Sequence, residues 1–228
     1  MSQNNSESAY ENISNVIHQA LLNPHLDKEI LFQICDGSKQ SGFAGLCTSL
    51  THLSIARERL GRTSTTKLIS VIAFPFGLIP TFNKLKEAEY AIEQGAEELD
   101  CVPNYFALRE GKIDLFAEEI NQLCELGVPI VVVLDSNFLL TSSKLSLAIN
   151  ASIDAGATGI QIGNGFGSAI TKSQTKKISK IVKNRCSIKV VGGIKTFSQA
   201  IDFIEEGSTY IGTSFGFEIL QEQKIKER

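Results

Sequence analysis

The stretch IDAGATGIQIG, residues 153–163, contains the pattern that decides the fold of this chain. A helix-like segment ends at Ala155-Gly156, and a short apolar run follows. The glycine suits the left-handed residue that closes a helix, and the run after it is typical of a parallel strand covered on both faces. The same pattern, a helical end, a glycine and an apolar run, recurs in KQSGFAGLCTS (39–49), IEQGAEELDCV (92–102), CELGVPIVVVLD (124–135) and IEEGSTYIGTS (204–214).

Two more apolar runs, KLISVIAFP (67–75) and SIKVVGGI (187–194), have the same strand character. Helical patterns cover 81–94 and 196–206, and NVIHQALL (15–22) is compatible with a further strand. Repeated βα units build a parallel sheet with right-handed crossovers. Seven or eight units in this length predict a closed (β/α)8 TIM barrel.

A doubly wound open sheet is the alternative, but it normally has fewer strands and a Gly-rich loop after the first one. SGFAGLCTS (41–49) is not such a loop. We therefore predict one barrel domain over residues 13–220. Residues 1–12 are predicted to be a disordered tail and residues 221–228 a charged helical tail.

The composition excludes several classes of protein. The 228 residues are 43% hydrophobic, with a net charge of −3, so no electrostatic footprint for nucleic acid is present. No apolar run is long enough to span a membrane, and the polar start MSQNNSESAYEN argues against export. The five scattered cysteines predict buried free thiols rather than disulfides or a zinc site. A cytoplasmic protein without a metal or cofactor is expected.

Three polar side chains interrupt the predicted strands. Side chains alternate between the two faces of a strand, and the apolar neighbours should face the helices. Asp100, Gln161 and Lys189 should therefore face the barrel axis. Buried charges are costly unless they are paired or used, so the sequence predicts either a structural Asp–Lys pair or an active site at the strand ends.

Glycine-rich turns follow the last two strands, where barrel enzymes usually bind phosphate. Gly192 and Gly193 allow backbone N–H groups to approach an anion, and Ser214 offers a hydroxyl. Lys195 adds a positive charge. Together these two loops predict a phosphate-binding site.

The sequence resembles the deoxyribose-phosphate aldolases, which are class I aldolases with a (β/α)8 barrel. VIAFPFG (71–77), GAEELDCVPN (95–104), GFG (165–167), VVGGIKT (190–196) and IGTSFG (211–216) stand in the order and spacing of that family. The resemblance implies a small phosphorylated sugar or aldehyde as the ligand, and it suggests a homodimer.

The resemblance also implies roles for individual residues. An aspartate on the third strand maps onto Asp100, and an assisting lysine on the seventh strand maps onto Lys189. The family's phosphate contacts map onto Gly165, Gly192, Gly193, Gly212 and Ser214. The lysine of the sixth strand, which forms a Schiff base with the aldehyde, maps onto Gln161.

Gln161 is one of three departures from the family pattern. An amide nitrogen has no free lone pair, so Gln161 cannot attack a carbonyl. The acidic residue that opens the first-strand motif is replaced by Ile17, and residues 131–133 are valines where the family often has a lysine.

Three functions are consistent with this set of residues. In the first, the protein is an active sugar-phosphate aldolase in which Lys189 has become the nucleophile. In the second, it is a non-catalytic binding module for a phosphorylated metabolite. In the third, Asp100 and Lys189 carry out different acid–base chemistry while Gln161 hydrogen-bonds the substrate.

The remaining candidate residues carry weaker signals. His18, His25 and His52 show no metal-ligand spacing. Asp135 ends a strand at the expected catalytic rim, and Asn164 is placed either to line the site or to make a turn.

Overall fold

The computed structural model of the protein describes residues 12–134 and 142–226. Parallel strands close into one barrel in chain order, and the last strand pairs with the first. The strands are β1 Ile17–Leu21, β2 Gly45–Thr48, β3 Lys67–Ile72, β4 Glu98–Cys101, β5 Ile130–Leu134, β6 Gly159–Ile162, β7 Ser187–Val191 and β8 Tyr210–Thr213. The predicted (β/α)8 barrel is confirmed, and its remaining strand lies within residues 15–22.

Helices connect the strands and form the outer layer. In the described ranges the α-helices are α1 Lys28–Gln40, α2 Leu53–Leu60, α3 Thr81–Glu93, α4 Tyr105–Arg109, α5 Ile113–Cys124, α6 Ser142–Asp154, α7 Lys172–Val182, α8 Phe197–Glu205 and α9 Gly216–Lys226. Short 3-10 helices cover Ile13–Val16 and Leu50–His52. The helices predicted over 81–94 and 196–206 are therefore confirmed as α3 and α8.

The repeated glycine sets the turn between each helix and the strand after it. The φ of this glycine is positive in all five occurrences of the pattern, and a side chain in that conformation would strain the backbone. The values are 65° at Gly42, 92° at Gly95, 84° at Gly127, 103° at Gly156 and 101° at Gly207. This turn directs each following strand into the barrel, which explains why the pattern predicts the fold.

The strands bury both faces, as their apolar composition predicts. Leu99, Ile160 and Val190 belong to the large apolar core between the strands and the helices. The alternate residues Asp100, Gln161 and Lys189 line the barrel interior. The predicted orientation of these strands is confirmed.

The strand number assigned to Asp100 is wrong. Asp100 lies on β4, not on the third strand, because two strands, Gly45–Thr48 and Lys67–Ile72, lie between β1 and the strand that carries it. Gln161 on β6 and Lys189 on β7 have the predicted strand numbers, and they are register partners.

Helix α9 continues across residue 220 and packs on the barrel. The Gln223 side chain is buried, and its Oε1 accepts a hydrogen bond of 3.2 Å from the backbone N–H of Ile13. Among the helices of the described ranges, none is both long and apolar enough to cross a membrane.

Candidate active site

A cleft of about 560 Å³ opens over the carboxyl ends of β1, β6, β7 and β8. It lies at the end of the barrel where the strand-end loops converge. All six residues predicted to bind phosphate line this cleft: Gly165, Gly192, Gly193, Lys195, Gly212 and Ser214. Residues far apart in the sequence are therefore brought into one site.

The loops after β7 and β8 present backbone donors to the cleft. The N–H groups of Gly193 and Ser214 donate no hydrogen bond to any other group in residues 12–134 or 142–226. Helix α9 begins two residues after Ser214, and the positive end of its dipole lies on the same side. This combination is suited to an anion.

Gln19 supports the loop after β8, and the sequence reasoning missed it. Its Nε2 donates to the carbonyl oxygen of Ser214 at 3.1 Å, and its Oε1 accepts from the N–H of Gly216 at 3.1 Å. The side chain is buried. The signal available in the sequence was one amide in the apolar stretch IHQALL.

A hydrogen bond also joins the two glycine-rich loops. The Thr213 hydroxyl donates to the carbonyl oxygen of Ile194 at 2.6 Å. Lys195 is exposed, with its Nζ 5.1 Å from the ring centre of Phe215, and its own N–H donates to Gln199. Lys195 therefore offers the cleft a side-chain charge rather than a backbone amide.

Asn164 has both of its predicted roles, since it lines the site and shapes a turn. Its side chain is buried and lines both the cleft and the pocket beneath. Its Oδ1 also accepts a hydrogen bond of 2.9 Å from the N–H of Phe166, which shapes the turn after β6.

Beneath the cleft lies a small inner pocket of about 30 Å³, lined in part by Asp100, Gln161 and Lys189. Lys189 forms a buried ion pair with Asp100 through Nζ and Oδ2. The thiol of Cys47 donates to the same carboxylate oxygen at 3.3 Å. The structure thus brings together the three predicted catalytic residues, and two of them form the Asp–Lys pair.

The ion pair decides the protonation of Lys189. Burial by itself would lower the pKa of this amine, but the attraction of Asp100 and Glu98 and the hydrogen bond to Asp100 outweigh burial. The pKa of Lys189 is therefore raised above its ordinary value. At neutral pH the side chain is an ammonium group, which has no lone pair to attack a carbonyl.

Gln161 is buried, and its amide is held in one orientation. Nε2 donates a hydrogen bond of 2.9 Å to the carbonyl oxygen of Gly163. Turning the amide over would place two acceptors against each other. Its Oε1 has no hydrogen-bond partner among the described residues.

A polar layer lies deeper in the barrel, and the sequence reasoning did not identify it as a group. His18 stacks on Tyr210 with ring centres 4.3 Å apart, and its Nδ1 lies 4.0 Å from Glu98 Oε1. Burial, with repulsion from Lys189 and Lys67, lowers the pKa of His18 well below its usual value. Burial, with repulsion from Asp100, raises the pKa of Glu98.

The histidines show no sign of a metal site. His25 is exposed, and His52 lies 3.5 Å from the Ser49 hydroxyl through Nδ1. No cluster of three or more potential ligands occurs in the two described ranges. The five cysteines are free thiols, as predicted, but only Cys35, Cys47 and Cys101 are buried, whereas Cys124 and Cys186 are partly buried.

Of two further predicted positions, one lies away from the inner pocket and the other lies outside the described residues. Ile17 is fully buried in the apolar layer between β1 and the helices. Asp135 lies outside the described residues.

Comparison with known proteins identifies the family. The chain is 35% identical over 217 residues to the deoxyribose-phosphate aldolase of Trichormus variabilis, covering 95% of each chain. It is 34% identical to the enzyme of the same name from Thermococcus gammatolerans, covering 92% of this chain and 95% of the relative. The chain belongs to the deoxyribose-phosphate aldolase family. The family resemblance read from the motifs is therefore confirmed, although no family model matches the sequence.

Solved structures of the aldolases share the whole barrel. QR15, an aldolase, superposes with a TM-score of 0.90 at 30% identity and covers 95% of this chain and 98% of its own. The deoxyribose-phosphate aldolase of Aeropyrum pernix has a TM-score of 0.83 at 28% identity, with 93% and 91% covered, and is described as a tetramer. The homodimer suggested by the resemblance stays a prediction for this chain.

Proposed function

We propose that this protein binds a small phosphorylated sugar or aldehyde in the cleft and does not cleave deoxyribose 5-phosphate through an imine. The observation that carries the proposal is Gln161. It occupies the inward position on β6, beside Lys189 on β7 and next to the cleft. The resemblance assigns the Schiff-base lysine to this position.

The cleft supports the binding part of the proposal. Free N–H groups at Gly193 and Ser214, the positive end of α9 and the Lys195 charge all favour a bound phosphate. Gln19 and Thr213 hold these loops in place through side-chain hydrogen bonds. This arrangement uses backbone donors, so it does not depend on the identity of residue 161.

The protonation of Lys189 argues against the alternative in which it replaces the missing nucleophile. Imine formation requires a neutral amine. The ion pair with Asp100 favours the ammonium form, because it raises the pKa of Lys189. An aldolase that used Lys189 would first have to break a buried ion pair.

Acid–base chemistry is a second candidate function, favoured by one observation. A carboxylate and an ammonium group are in direct contact at the inner pocket, which shares lining residues with the cleft. Such a pair is suited to moving a proton next to a carbonyl. Exchange of the carbon-bound protons of dihydroxyacetone phosphate in D2O, followed by NMR, tests this candidate.

Two measurements test the main proposal. In the first, deoxyribose 5-phosphate and inorganic phosphate should raise the melting temperature, since a ligand at 100 times its dissociation constant adds about 2.7 kcal/mol of stability. In the second, the same preparation should give no cleavage of deoxyribose 5-phosphate. Turnover typical of the family would refute the loss of imine chemistry, and no thermal shift at millimolar ligand would refute binding.

Gly193→Ala is a test of the phosphate loop itself. Gly193 has a φ of 76°, and an added Cβ would lie 2.8 Å from the Cβ of Ala169, so the loop must move. We expect this variant to lose the thermal shift by phosphate. Gly111→Ala is the matched control, because Gly111 has a similar φ of 73° but no neighbouring atom within 4 Å. Equal loss of the shift in both variants would contradict the assignment.

A further inference from the structure

The inner pocket contains acceptors that no described group satisfies. Asp100 Oδ1 and Gln161 Oε1 are both buried and have no hydrogen-bond partner within residues 12–134 and 142–226. The two residues are 1% and 4% exposed. A buried acceptor without a donor is costly, so each oxygen favours a ligand group that carries a hydrogen.

The other polar atoms around these oxygens are already engaged. Asp100 Oδ2 accepts from Lys189 and from the Cys47 thiol. Gln161 Nε2 is held by the carbonyl oxygen of Gly163. Lys189 has three N–H groups, and its ion pair with Asp100 uses one of them. The pocket therefore offers two free acceptors beside an ammonium group that has further N–H groups.

The size and position of the pocket fit one small group of a bound ligand. Its volume of about 30 Å³ suits a single water-sized group. The pocket also shares several lining residues with the cleft: Ala20, Leu22, Phe74, Asn164, Val191 and Gly212. A ligand whose phosphate is held by the glycine-rich loops thus extends toward this pocket.

A hydroxyl group matches this environment better than a carbonyl group. A hydroxyl donates to Gln161 Oε1 and at the same time accepts from Lys189. A carbonyl oxygen only accepts, so it leaves both buried oxygens without a donor. Sites built to bind a hydroxyl discriminate strongly against analogues that lack it, because buried polar groups are then left unpaired.

We propose that the inner pocket selects the hydroxyl of a phosphorylated alcohol, such as a polyol phosphate, over the carbonyl of a phosphorylated aldehyde or ketone. This inference rests on the proposed phosphate binding and narrows the class of ligand. Gln161 is then the residue that determines specificity, since it places an acceptor where the resemblance implies an attacking amine.

A matched pair of five-carbon probes tests the inference by isothermal titration calorimetry. The ketone is 5-(phosphonooxy)pentan-2-one, and its borohydride reduction gives pentane-1,4-diol 1-phosphate; inorganic phosphate measures the anchor alone. We expect the alcohol to bind at least about tenfold more tightly than the ketone, the effect of one buried hydrogen bond. 2-Deoxyribitol 5-phosphate extends the comparison to a polyol.

Gln161→Met removes the acceptor at similar side-chain length. In this variant the preference for the alcohol should fall to about twofold or less, while the affinity for inorganic phosphate stays unchanged. Gln40→Met, at an exposed position on α1, is the control and should keep the preference. If Gln161→Met fails to fold, the comparison of alcohol with ketone in the wild-type protein decides.

The outcomes separate this inference from the function on which it rests. Equal affinity for alcohol and ketone, both tighter than inorganic phosphate, would overturn the inference and leave phosphate-ester binding intact. A preference that persists in folded Gln161→Met would also overturn it. If neither probe nor inorganic phosphate binds, the proposed function itself fails.

Discussion

The variant Gln161→Lys restores an amine at the position where the resemblance implies the Schiff base. Residue 161 and Lys189 are register partners on adjacent strands, which lie about 4.8 Å apart. Two ammonium groups about 6 Å apart repel by about 3 kcal/mol at an effective dielectric constant of about 20. That repulsion alone would lower the pKa of the new lysine by about 2 units.

Two neighbouring effects modify this value in opposite directions. Asp100 is already paired with Lys189 and offsets part of the repulsion. Burial acts the other way, since residue 161 is only 4% exposed as glutamine, and burial favours the neutral amine. We therefore expect an amine whose pKa lies well below that of an exposed lysine, next to the proposed phosphate site.

The assay is reductive trapping. The variant is incubated with an aldehyde and borohydride, and the modified peptide is identified by mass spectrometry. We expect the adduct on residue 161, and weaker labelling near neutral pH when Lys189→Ala is added, because the repelling charge is gone. Gln40→Lys places a lysine at an exposed position and controls for nonspecific labelling. A folded variant without an adduct at residue 161 up to about pH 9, where a moderately perturbed lysine begins to deprotonate, would refute the reasoning.

Two further predictions concern buried charges. Asp100→Asn should cost about 3–5 kcal/mol of stability. It should also make Lys189 trappable by aldehyde and borohydride at pH 8, because burial then dominates the pKa of Lys189. Equal labelling of the wild-type protein would contradict this prediction. The pKa of His18 is lowered in the folded protein, so below about pH 6.5 the unfolded chain binds a proton that the folded chain does not. The free energy of unfolding should therefore fall with decreasing pH, by up to about 1.4 kcal/mol per pH unit. Urea unfolding at several pH values should show that this pH dependence disappears in His18→Gln but not in His25→Gln. Glu98, whose pKa is raised, contributes a pH dependence of opposite sign to the free energy of unfolding in both variants.

The barrel could be predicted because its signals are local. A glycine with positive φ after a helix and an apolar run after the glycine are properties of about ten consecutive residues. The inward direction of Asp100, Gln161 and Lys189 follows from alternation along one strand. That the two glycine-rich loops meet in one cleft was also predictable, since a parallel barrel brings the carboxyl ends of all its strands to one side.

The supporting contacts could not be predicted in the same way. Gln19 holds the loop at Ser214, which is 195 residues away in the sequence. Only closure of the barrel between β1 and β8 brings these residues together. The layer of His18 and Glu98 likewise joins β1 to β4 across the interior, and such side-chain contacts depend on rotamers that no sequence period specifies.

The protonation of Lys189 was a further property that only the structure supplies. The sequence places Asp100 and Lys189 on the same inner face, and this placement alone is compatible with a lowered or a raised pKa. The outcome depends on the balance between burial and the distance to the carboxylate. Direct contact with Asp100, with Glu98 nearby, gives the raised pKa of Lys189.

The proposed loss of imine chemistry and the retention of a binding cleft are physically compatible. The proposed phosphate binding relies on backbone N–H groups and glycine conformations spread over two loops, so no single side chain at the barrel axis controls it. An imine depends on one amine. With the neutral Gln161 beside it, Lys189 meets no competing cation on β6 and stays paired with Asp100. Gln161 is thus compatible with the proposed loss of both routes to an imine, because its amide is no nucleophile and it leaves Lys189 paired with Asp100 and protonated.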